Sequence, residues 1–153
     1  MKHHNFHFKY STIWLLAILF FVGIAQKSFS QNNKAEQQII HVLKTQQDAW
    51  NNGNLVDFMQ GYWRHDSLQF ITVKGITYGW DKMLNRYQIK YPDKSAMGIL
   101  KMQVVSMEKI NRSCYYVIGS WQLIRSTDNP NGFFTLLFKK IKGHWLIVKD
   151  HTS

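Results

Sequence analysis

The stretch HWLIVKDHTS at residues 144–153 places a carboxylate, an imidazole and two hydroxyls side by side, at Asp150, His151, Thr152 and Ser153. Imidazole titrates near neutral pH, so His151 is a candidate general acid or base. Adjacent side chains of an extended strand point to opposite faces. A regular strand therefore puts His151 with Trp145, Ile147 and Lys149, and Asp150 with Leu146 and Val148, so the two neighbours form no dyad. A partner for His151 has to come from elsewhere. Asp66 is the first candidate, with Tyr62 and Tyr87 as neutral hydrogen-bonding alternatives. The expected catalytic centre is thus His151, Asp66 and Tyr62. Asp150 has a structural reading instead, in which it accepts from nearby backbone N–H groups and from the Thr152 and Ser153 hydroxyls and locks the strand end.

Aromatic residues make up 15% of the chain, with 6 Trp and 7 Tyr. Trp50, Trp63, Tyr78, Tyr87 and Trp121 are candidates for a cavity wall, where indole N–H and phenol O–H groups would also supply donors. Their alternative role is a core of large residues. Trp121 sits two residues from Gly119, whose missing side chain leaves room. No metal is expected: His41, His65, His144 and His151 lack HxH or HxxxH spacing. No glycine-rich phosphate loop or nucleophile elbow occurs, and no cofactor is expected. The single Cys, Cys114, excludes an internal disulfide and reads as a small buried residue.

The first 30 residues read as a secretory signal peptide. A basic start carries Lys2 and Lys9, and the apolar run IWLLAILFFVGIA follows. That run is too short to span a bilayer, which needs roughly 20 residues. Cleavage is expected after Ser30, with Ala25 as the alternative, leaving a single domain over residues 31–153 without a stable membrane anchor; the other reading of the run is an uncleaved anchor. Export to the periplasm or beyond follows. The formal charge of +10 comes from 19 basic and 9 acidic residues; removing Lys2, Lys9 and Lys27 leaves 16 against 9, or +7. The bases are scattered apart from Lys139, Lys140 and Lys142, so no nucleic-acid stripe is present.

The elements that must position these groups follow from periodicity. Ile39, Ile40, Leu43 and Trp50 predict a helix over Ala35–Asn51, closed by Gly53. Asn54 caps a second helix whose stripe is Leu55, Phe58, Met59, Tyr62 and Trp63. Ser67–Val73 alternates as a strand and turns into Ile76–Tyr78. A third helix opens at Gly79 and stops at Pro92. Four strands follow, Gly98–Ile110, Ser113–Ser126, Phe133–Ile141 and His144–Asp150, joined by short turns that make neighbours antiparallel. The fold class is α+β: three helices on a strongly curved, mainly antiparallel sheet, with a gap between the layers for a ligand.

The stretches AWNNGNLVDFMQGY, ITYGWDKMLNRY, VIGSWQL and GFFTLLFKKIKGHWLIVKDHTS cover nearly the whole domain. In this order they resemble the NTF2-like superfamily and its SnoaL-like/DUF4440 branch. The resemblance implies a cone-shaped roll with a cavity, and a fold that hosts isomerases, cyclases, dehydratases, hydrolases and non-catalytic subunits alike. Ketosteroid isomerases of this fold use a Tyr on the first helix and two acids around the cavity. Here Gln46 and Gln47 stand near the Tyr position, and Ile71 and Thr72 where the base falls. Two functions are expected: binding a small, partly apolar molecule with lyase- or isomerase-type acid–base chemistry, or a non-catalytic association domain, with a homodimer formed through the sheet.

Overall fold

Apolar residues recur at helical spacing after residue 34 and at alternate positions after Ile99, and the architecture divides in the same way. The computed structural model describes residues 34–153, of which residues 38–153 form one compact unit. The expected leader and both cleavage positions lie outside the described residues. Among the described residues no helix is long and apolar enough to cross a membrane.

Six strands form one sheet: β1 (Gln69–Thr72), β2 (Gly75–Tyr78), β3 (Ile99–Asn111), β4 (Cys114–Ile124), β5 (Asn131–Ile141) and β6 (His144–Thr152). Their order is β2-β1-β6-β5-β4-β3. The last four make the expected antiparallel meander. The β1–β2 hairpin joins it through a parallel pairing of β1 with β6, so the sheet is mixed. Residues paired across strands share a face. The inner face therefore carries the fully buried row Tyr115, Phe138 and Ile147. The outer face interleaves Tyr116, Ile118 and Leu137 with Ser120, Thr135 and Lys149.

The first helix, α1 (residues 34–51), buries Ile39, Leu43, Gln46 and Trp50 along one side. Gly53, at φ +81°, closes it in a conformation that favours glycine. Its polar residues have structural partners. Asn51 accepts from the Leu100 N–H at 2.7 Å and donates to the Leu100 carbonyl at 3.1 Å. Gln47, one turn earlier, accepts from the Met102 N–H at 2.7 Å. Edge strands expose unpaired backbone groups, and α1 occupies those of β3 at Leu100 and Met102.

The second helix, α2 (Leu55–Met59), starts as expected, with the Asn54 side chain accepting from the Asp57 N–H at 3.0 Å. It ends one turn sooner than the apolar stripe predicts. Gly61–Trp63 runs alongside β6 instead: Ile147 N–H donates to the Gly61 carbonyl and Trp63 N–H to the Ile147 carbonyl, each at 2.9 Å. Glycine is a poor helix former, and a Cβ at Gly61 would collide with the Gln46 side chain. Tyr62 therefore forms a one-residue parallel bridge to Ile147, and neither it nor Trp63 belongs to a helix. The third helix is α3 (Trp80–Lys90). A fourth, α4 (Lys94–Met97), was not expected; Asp93 caps it by accepting from the Ala96 N–H at 2.8 Å.

Candidate functional site

The geometry of the site is set by a one-residue irregularity in β6. Phe138 of β5 pairs with Ile147, and the next residue back, Leu137, pairs with Lys149. Val148 is the extra residue of a β-bulge. The inward phase changes there: Trp145 and Ile147 face inward before it, Asp150 and Thr152 after it. The bulge falls where β6 changes neighbour. Ile147 is held by Gly61 and Trp63, whereas Lys149, Asp150 and His151 pair with Gln69, Phe70 and Ile71 of β1.

This phase change corrects the expected centre. His151 is exposed on the outer face, opposite Thr135 and Ile71. Asp66 is exposed in the turn before β1. His65, its neighbour, stacks on Trp63 at 3.9 Å. His151, Asp66 and Tyr62 are not brought together. Regular alternation places His151 with Trp145 and Ile147; the extra residue gives that face to Asp150.

Asp150 is 3% exposed and borders the cavity. Its Oδ2 accepts from the Tyr62 hydroxyl at 2.7 Å, and its Oδ1 accepts from the Thr152 hydroxyl at 2.6 Å. The structural role expected for Thr152 is therefore present, while the Ser153 hydroxyl donates to the Phe133 carbonyl instead. Burial disfavours the charged carboxylate and pushes Asp150 up to about 6; the Thr152 and Tyr62 hydrogen bonds and the nearby His151 oppose that rise. Burial, reinforced by the Asp150 charge, holds the Tyr62 and Tyr87 phenols well above their ordinary range. Near neutrality Asp150 is thus able to take up or release a proton, and Tyr62 stays a neutral donor.

The cavity between the helices and the sheet has a volume of about 760 Å³. Trp50, Phe58, Tyr62 and Tyr87 build its aromatic wall. Trp50 meets Phe58 edge-on at 5.2 Å, and Tyr87 meets Phe58 at 5.3 Å. The Trp50 indole N–H is used by the Met97 carbonyl at 3.2 Å. Gln46 adds a buried amide, its Nε2 donating to the Phe58 carbonyl at 2.9 Å. Trp121 lines the opposite side and donates to the Ser153 carbonyl at 3.3 Å. The space at Gly119 is taken by the Phe134 ring, which a Cβ there would strike.

Of the expected residues, Tyr62, Trp50, Tyr87 and Trp121 line the cavity. Trp63 lies off it against His65, and Tyr78 is 50% exposed in β2. Asp150 as the polar centre was missed because its neighbour His151 carries the more familiar signal. Arg86, also on the cavity, was missed too. The signal for it is helical spacing: Lys82, Asn85, Arg86, Ile89 and Lys90 form a second stripe on α3 beside the apolar one. Among the described residues no group of three His, Cys, Asp or Glu side chains is placed to hold a metal.

No family model matches the chain, and no curated protein matches it significantly. Solved structures do. A domain of unknown function with a cystatin-like fold from Nostoc punctiforme aligns at TM-score 0.67 and 18% identity, covering 77% of this chain and 75% of that one. An NTF2-like protein of unknown function from Pseudomonas putida aligns at TM-score 0.62 and 11% identity, covering 79% and 87%. These two share the fold. An NTF2-like protein of unknown function from Shewanella oneidensis aligns at TM-score 0.76 and 39% identity, covering 78% of this chain and 98% of that one. A two-layer α+β roll of this topology, with that degree of identity across almost the whole of a relative, means that the chain belongs to the NTF2-like superfamily.

Proposed function

We propose that this domain binds a small, partly apolar molecule in its cavity, and that the Tyr62–Asp150–Thr152 cluster is the polar centre that orients it. The observation that carries this reading is a buried, doubly hydrogen-bonded acid at the inner end of a cavity of about 760 Å³, beside the aromatic wall of Trp50, Phe58, Tyr62 and Tyr87. Pockets of this size with a few convergent polar groups suit small ligands. Asp150 is also the group through which acid–base chemistry of a lyase or isomerase type would run, with the neutral Tyr62 hydroxyl as a donor to a developing oxyanion. The finer SnoaL-like/DUF4440 assignment and export from the cytoplasm belong to the same reading, and rest on the sequence stretches and the leader.

The test is a titration with N-phenyl-1-naphthylamine, a neutral aromatic dye that brightens in apolar surroundings. Saturable one-to-one binding is expected, abolished by Leu136→Trp, which fills the cavity from β5. Retained circular dichroism in that variant shows the fold intact. Absence of saturable binding in the unaltered protein overturns the reading.

A homodimer through the outer sheet face is a second, separate proposal. Ile99 and Phe133, 49% and 61% exposed, favour it, since both point away from the cavity. Sedimentation at several protein concentrations tests it; a monomer throughout rejects it.

A further inference from the structure

Lys74, Lys82, Arg86 and Lys90 all line the cavity, and the three lysines are exposed, which places them at its mouth. Asp150 and Tyr62, by contrast, lie buried at its floor. Three of the four cations come from one face of α3, at i, i+4 and i+8, and Lys74 comes from the β1–β2 turn. None of the four forms an ion pair among the described residues. Asp150 is the one Asp or Glu side chain among the residues that line the cavity.

Arg86 differs from the lysines in being held. Its two terminal nitrogens donate to the Thr77 hydroxyl at 2.9 Å and to the Thr72 hydroxyl at 3.1 Å, and its guanidinium lies 5.3 Å from the centre of the Phe70 ring. Both hydrogen-bonding partners are neutral. A guanidinium has five N–H donors in a fixed fork, so further donors remain with the positive charge uncompensated. Half-buried cations normally find a carboxylate or phosphate. The threonines fix this one at the junction between the wet mouth and the apolar interior, where the missing partner would be the end of a ligand. Phe70 pairs with Asp150 across the parallel strands, so the two charged positions are spaced by one aromatic ring along the inner face.

We infer that the ligand is an amphiphile with one terminal oxyanion, such as a carboxylate: its apolar body fills the cavity towards Asp150, and its anionic end binds Arg86 at the mouth. This rests on the cavity reading above and specifies the class of molecule for it. The surrounding lysines attract that anion at longer range, and salt weakens their contribution.

Displacement of bound N-phenyl-1-naphthylamine by 2-naphthoate and by 2-naphthamide tests it, because the two competitors have the same shape and differ in charge. Naphthoate is expected to displace the dye at concentrations at least about tenfold lower, as a charge-assisted hydrogen bond would give. Arg86→Gln should remove most of that preference by weakening naphthoate far more than naphthamide, and Arg86→Lys should restore part of it. Saturable one-to-one dye binding retained in each variant shows that the cavity is still formed. Equal displacement by the two competitors in the unaltered protein, or a preference that survives Arg86→Gln, overturns the inference and leaves the cavity reading standing. Failure of the dye itself to bind overturns both.

Discussion

The Tyr62 hydroxyl donates to Oδ2 of Asp150 at 2.7 Å across a separation of 88 residues. Neither residue has a regular element to itself: Tyr62 sits in a one-residue bridge to β6 and Asp150 follows the Val148 bulge. Gly61 and Trp63 bond Ile147 on one side of the bulge, and Phe70 and Leu136 pair with Asp150 on the other. The pair is therefore a product of how β6 is held between two neighbours.

Asp150 binds its proton more tightly in the folded chain than in the unfolded one, where a carboxyl titrates near 3.8, against about 6 when folded. A raised acid pKa means that folding is opposed at pH above 6, where the buried group is charged. That penalty is relieved as pH falls from about 6 towards 4. The difference between the two states amounts to about 3 kcal/mol. Asp150→Asn is expected to remove this contribution, so that its stability relative to the unaltered protein falls as the pH is lowered through that window. Urea midpoints measured from pH 4 to 7.5 check it; identical profiles for the two proteins contradict it.

Tyr62→Phe removes the donor to Oδ2 and leaves the carboxylate buried with one hydroxyl. The expected cost is about 1–3 kcal/mol at pH 7.5, the usual effect of leaving a buried polar group without its partner. Because the Tyr62 hydrogen bond lowers the Asp150 pKa, its loss should also move the Asp150 titration upward. Carboxyl carbon chemical shifts followed through a pH series report this directly. A titration midpoint that stays put or moves down would show that the hydroxyl does not support the charged form.

His151→Ala is expected to change little. The ring is exposed on the outer face, and surface substitutions of this kind stay within about 0.5 kcal/mol. Dye binding in the cavity should be unaltered as well. A large loss of binding by this variant would return the imidazole to the site and undo the assignment of the inner face to Asp150.

Much of the fold was legible in the chain because it rests on local rules. The Asn54 cap, the Gly53 helix end, the alternation through β3 to β6 and the short turns between them depend on residues close in sequence. So did several wall residues: Trp50, Tyr62, Tyr87 and Trp121 are large side chains on elements whose inward faces periodicity identifies. The site's polar centre depends instead on one extra residue in β6, and alternation of side chains carries no sign of an inserted residue. Bulge and register arise from what lies on either side of a strand, here the Gly61–Trp63 segment and β1. Sequence alone thus determined a curved sheet under helices with an aromatic interior. Whether Asp150 or His151 faces that interior was decided by tertiary structure, because a shift of one residue turns every later side chain to the opposite face.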